Sequence, residues 1–157
     1  MHETNQLQLV SNGYTLSAAP NRLGRLMPSD SASPLDKLRA QFRAQGYLWL
    51  KGFLDRGEVL ALRQRYLELM QPLGFIKPGT DIVDGIYSGT KDTTGLHQKR
   101  LMEFVRSAAY ESFCLQPRLW QFYDAFLGGP SYLHKRKLVR DTFPGDPHST
   151  GAHYDLS

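Results

Sequence analysis

His153 and Asp155, one residue apart in Thr150-Gly151-Ala152-His153-Tyr154-Asp155, are the side chains whose types and spacing can do chemistry. The run reads as the start of a strand, and along a strand successive side chains alternate faces. His153 and Asp155 are therefore expected on one side, with Tyr154 on the other. An imidazole and a carboxylate presented together can take two adjacent positions on one metal ion. A second histidine from elsewhere would complete the two-His, one-carboxylate facial set that holds non-haem iron(II) and leaves positions open for cosubstrate and oxygen. A bare H-x-D is a weak signal, which a chance surface pair also satisfies. Zinc held by His148, His153 and Asp155 is the other metal reading, since zinc accepts nitrogen and oxygen ligands. Nothing else supports it, and His148 in its Pro-Gly-Asp-Pro-His loop is expected to face solvent.

The residues before the pair add specificity. Residues 135–143 read as a strand, with Arg136-Lys137-Leu138-Val139-Arg140 at its centre, and residues 144–151 as a turn-rich loop. A basic strand, a Pro-Gly-Asp-Pro loop and a Gly-x-His-x-Asp turn, in this order, resemble the phytanoyl-CoA dioxygenase family of iron(II)- and 2-oxoglutarate-dependent oxygenases. The resemblance takes in the helical part from about Leu35 onward, but only the last segment has residues of motif grade. It implies His153 and Asp155 as iron(II) ligands, 2-oxoglutarate as cosubstrate and hydroxylation of a small organic or acyl substrate. It also implies an α+β fold, with N-terminal helices packed on the first strands of a double-stranded β-helix, or jelly-roll, barrel.

In that family a second iron-binding histidine, and an arginine for the far carboxylate of 2-oxoglutarate, lie well downstream of H-x-D. This sequence stops two residues after Asp155. The expectation is the N-terminal portion of such a domain over residues 34–157, with the barrel incomplete. A reading from a different class is a truncated, catalytically incompetent copy that acts as a binding module or has no function. Half a barrel leaves an open sheet edge and an unfilled core, so a poorly folded product or self-association through that edge is expected.

The basic strand has two readings of its own. By alternation Lys135, Lys137 and Val139 share one face, and Arg136, Leu138 and Arg140 the other. The strand is either a solvated edge on which lysine discourages edge-to-edge pairing, or it turns one cation inward toward an anionic cosubstrate such as 2-oxoglutarate. Lys137 is the residue named for that contact.

The elements that must position these groups are legible as punctuation and periodicity. Residues 1–33, polar and rich in Ser, Asn and Pro, read as a flexible arm. Pro34 opens a helix carrying Leu35, Leu38 and Phe42, and Gly46 ends it. Tyr47-Leu48-Trp49-Leu50 reads as a buried strand. Asp55 caps a second helix, with Glu58 as its capping-box partner and Val59, Leu62, Tyr66 and Leu69 on the apolar face. Residues 79–95 read as a loop with a short strand over residues 82–87, either simply mobile or covering a substrate. One helix is expected from about Leu101 to Leu115, and another from Pro117 to Gly128 with Leu119, Phe122, Tyr123 and Phe126 aligned. These apolar stripes are core, and His97, in a polar context, is expected to be a solvated loop or cap histidine.

Composition narrows the function class. A chain of 157 residues, 41% hydrophobic and 22% charged, suffices for one domain with a core. One cysteine, Cys114, rules out an internal disulfide framework and fits a reducing compartment, as a buried structural thiol. A net charge of +4 comes from cations spread along the whole chain without a nucleic-acid-binding motif, so no nucleic-acid partner is expected. No apolar run is long enough for a membrane span and no secretory signal is evident, so a cytoplasmic protein with a small-molecule substrate is the expectation. No G-x-S-x-G, phosphate-binding loop, H-E-x-x-H or paired-cysteine spacing occurs.

Overall fold

The structure, a computed structural model, describes residues 9–11, 13–22 and 24–144. These fall into two units: the residues up to Met27, and Pro28–Pro144. The first carries a hairpin in which β1 (Val10–Ser11) pairs antiparallel with β2 (Tyr14–Thr15), Val10 opposite Thr15 and Ser11 opposite Tyr14. The second is helical: α1 (Leu35–Gln45), α2 (Arg56–Met70), α3 (Leu96–Val105), α4 (Ala108–Cys114) and α5 (Pro117–Leu127). Among the described residues the architecture is thus mixed helix with one small two-stranded sheet, α+β in its coarser sense.

Local chemistry sets the helix ends. Gly46 takes the left-handed conformation after α1 (φ 77°) and its N–H returns to the Phe42 carbonyl, a C-cap that only glycine adopts without strain. The Asp55 carboxylate accepts from the Glu58 N–H at 2.9 Å and starts α2. The single helix expected over residues 101–115 is two. The Ser107 hydroxyl donates to the Phe104 carbonyl at 2.7 Å and accepts from the Tyr110 N–H at 3.2 Å, so one side chain closes α3 and opens α4. Arg39 on α1 donates to the Phe126 and Ala125 carbonyls at the end of α5, at 2.8 and 2.6 Å. Phe42 meets Phe126 edge-on at 5.8 Å alongside that contact.

Three expected strands are corrected. Tyr47-Leu48-Trp49-Leu50 contributes a single parallel bridge, Leu50 to Ser29. Ser29, inside the stretch expected to be an arm, is 5% exposed and holds Trp49 at both backbone and hydroxyl. Residues 82–87 form a 3-10 turn, Ile82–Asp84, because the Asp81 carboxylate caps the Val83 N–H. Residues 135–143 form no ladder among the described residues, yet they keep a strand's alternation: 137, 139, 141 and 143 are half-buried while 138, 140 and 142 are exposed. The odd-numbered face is therefore the inner one.

The core lies under that face. Met70 (1% exposed), Phe75 and Leu101 form a buried cluster onto which Tyr66, Tyr87, Val139 and Phe143 pack. Among the described residues no helix is long and apolar enough to cross a membrane.

Candidate functional site

Three elements converge beside the core cluster. Tyr66 lies on α2, one turn before Met70, so the same helical stripe that fills the core carries a hydroxyl at its edge. His97 stands in the first turn of α3, four residues before buried Leu101. Asp141 comes from the inner face of residues 135–143. Tyr66 donates its hydroxyl to Asp141 Oδ2, and the His97 Nε2 lies 2.7 Å from the same oxygen. Since a carboxylate only accepts, Nε2 carries the proton in this contact.

The surroundings hold this arrangement rigid. The His97 ring sits between Phe75 and Phe143, at centroid distances of 5.4 and 5.3 Å. Tyr66 meets Phe104 at 5.3 Å. The start of α3, preceded by Gly95 rather than a capping side chain, is fixed by Asp92 instead. Its carboxylate accepts from the backbone of Thr94, Gly95 and His97 at 2.8, 3.1 and 2.9 Å, and from the Thr94 hydroxyl at 2.7 Å. These bonds, the Thr94 hydroxyl foremost, hold the Asp92 carboxyl down at about 2. Burial, then the hydrogen bond to Asp141 and its charge, push the Tyr66 phenol well above the usual tyrosine value, so it remains a donor.

Asp141 also faces a cleft of about 720 Å³. Met70, Phe75, Ile76, Ile86, Tyr87 and Phe143 supply most of its apolar wall, and Pro144 stands at its edge. Gly85 shapes one side: its φ of 62° strains any side chain there, and the Arg63 guanidinium, 3.0 Å from where a Cβ would lie, would have to shift. Arg63 in turn donates to the Asp84 carbonyl at 2.7 Å and pins the 3-10 turn to α2.

The residues singled out from sequence fare differently. His148, His153 and Asp155 lie outside the described residues. Lys137 is on the inner face, 17% exposed, and its ammonium pairs with Glu111 on α4 at 3.2 Å. An anion approaching Lys137 competes with that carboxylate. Cys114 is half-buried. His97 is not the solvated histidine expected but a packed one, 20% exposed and bonded to Asp141. Sequence reasoning missed the Tyr66–Asp141–His97 set because its members lie 75 and 44 residues apart with no motif between them. The available signal was alternation, which puts Asp141 on the face of Lys137 and Val139. Among the described residues, no group of three His, Cys, Asp or Glu side chains is placed to hold a metal ion.

No protein-family model matches this chain, and neither a curated protein nor a solved structure does.

Proposed function

We propose that the chain is part of a non-haem iron(II)- and 2-oxoglutarate-dependent dioxygenase acting on a small organic or acyl substrate. The observation that carries this reading is the Gly151-Ala152-His153-Tyr154-Asp155 turn behind a basic segment and a Pro-Gly-Asp-Pro loop. The strand-like alternation of residues 137–143 supports it, as does an apolar cleft within the size range of small-molecule sites. On this reading the helices of Pro28–Pro144 pack outside a jelly-roll barrel.

His153 and Asp155 are then two ligands of the metal, and a second histidine completes the set. Iron(II) with 2-oxoglutarate supplies, when bound, the oxidant for an unactivated carbon. The chain's own share is to present that carbon and keep water away, for which the aromatic wall of the cleft is suited. Lys137 offers a cation to the cosubstrate once Glu111 is displaced. Anaerobic addition of iron(II) and 2-oxoglutarate is expected to give the weak visible charge-transfer band of a chelated complex, and His153→Ala to remove it. A folded protein that gives no band, or one whose band survives His153→Ala, contradicts the proposal.

One observation favours a second reading, a binding module without catalysis: residues 66–144 by themselves form a cleft of about 720 Å³. On this second reading ligand binding there needs neither His153 nor Asp155. Binding without the charge-transfer band is its signature.

A further inference from the structure

The cleft beside Asp141 has an uneven electrostatic make-up. Among the described residues of its wall Asp141 is the one acidic side chain, and none is a lysine, arginine or histidine. Both of the carboxylate's protein donors, the Tyr66 hydroxyl and the His97 Nε2–H, arrive at the same oxygen, Oδ2. Among the described residues nothing donates to Oδ1. A carboxylate has about four acceptor positions, so among the described residues two are used at Oδ2 and none at Oδ1. An acceptor in apolar surroundings is costly unless something donates to it, and a charged donor satisfies it best. Around it stand the rings of Tyr87 and Phe143, 4.9 Å apart, and the ring of Phe75, 5.0 Å from Phe143. Aromatic faces attract cations and accept flat apolar bodies.

We infer that this cleft is a binding site for a small organic amine in its ammonium form, with Asp141 Oδ1 receiving the N⁺–H and the aromatic wall holding the hydrocarbon part. Tyr66 and His97 are positioning residues: they hold the carboxylate through Oδ2 and leave Oδ1 for the ligand. A carboxylate ligand of equal size finds no cation among the described residues of the wall, and a neutral one gains only the apolar contact. The inference stands on the cleft alone and holds whether or not His153 and Asp155 carry iron.

Calorimetric titration with three probes that share one ring, benzylamine, benzyl alcohol and benzoate, tests it. Benzylamine is expected to bind at least about tenfold more tightly than benzyl alcohol, the worth of one charge-assisted hydrogen bond, and benzoate most weakly. Asp141→Asn is expected to bring benzylamine down to the affinity of the alcohol. Should that variant fail to fold, Ile86→Lys decides: the position is 45% exposed and in the wall, and a cation there is expected to weaken benzylamine and strengthen benzoate. Equal binding of the three probes overturns the inference. So does no binding by any of them, an amine preference that survives in folded Asp141→Asn, or one that Ile86→Lys leaves unchanged.

Discussion

Two hollows in the Pro28–Pro144 unit are built from similar aromatic material and differ in what holds them. The cleft at Asp141 is tied by a carboxylate that two side chains address from α2 and α3. The smaller hollow beside α5, about 310 Å³, is lined by Leu119, Trp120, Tyr123, Leu127 and Tyr132 with Cys114 at its edge. Three of its apolar side chains are open to solvent, Tyr123 at 48%, Leu127 at 66% and Tyr132 at 73% exposed. Apolar contact is non-directional and tolerates many arrangements, whereas a shared hydrogen-bond acceptor specifies one. The first hollow therefore has a geometry that can discriminate between ligands, and the second offers mainly area.

Substitutions in the two hollows should separate accordingly. Asp141→Ala takes the acceptor from both Tyr66 and His97 at once, and a cost of about 2–4 kcal/mol in urea-unfolding stability is expected. A value near zero would make the two hollows equivalent. Gly85→Ala puts a Cβ into left-handed backbone against Arg63, for an expected cost of about 1–2 kcal/mol by the same measurement. Leu127→Ala, in the smaller hollow, is expected to stay within about 0.5 kcal/mol. A larger loss there would mean that the α5 surface is covered by something.

The pH response sharpens the contrast without changing a side chain's size. The folded chain keeps the Tyr66 proton above the ordinary tyrosine value of 10.0, where the unfolded chain releases it. The folded state therefore binds more protons in that range, and its stability falls as pH rises. What Tyr66 contributes is complete below pH 10 and is lost progressively above it. Tyr66→Phe should flatten that part of the alkaline stability curve, and up to about pH 11 its phenolate absorbance should match wild type. Asp92 acts with the opposite sign. Its carboxyl is held at about 2, so its support of the α3 start is present above the ordinary value of 3.8 and lost as pH falls through about 2. Backbone amide exchange at Thr94, Gly95 and His97 should speed up at that acid end, and Asp92→Ala should show the faster rates already at neutral pH.

Helix boundaries were legible in the sequence where a single residue decides them. Asp55 before α2 and Gly46 and Gly128 after α1 and α5 act through their own side chain or backbone, and each stands where the pattern put it. The break between α3 and α4 was not, since the apolar spacing of Leu101, Phe104 and Val105 runs up to Ser107 without marking it. Strands failed for a different reason. A strand exists only with a partner, and period-2 residues such as 137–143 show the alternation without saying what they pair with. The Tyr66–Asp141–His97 set depends on three elements meeting, so no local window contains it. His153 and Asp155 were readable as a candidate pair because their chemistry is local in sequence.

Release of carbon dioxide from 2-oxoglutarate labelled at its first carbon, with iron(II) and oxygen present, tests the oxygenase reading most directly. Wild-type protein is expected to release label, and both His153→Ala and Asp155→Ala to fall to the protein-free background. Release that is undiminished in those variants, or none from a folded wild-type protein, contradicts the assignment of these two side chains to iron.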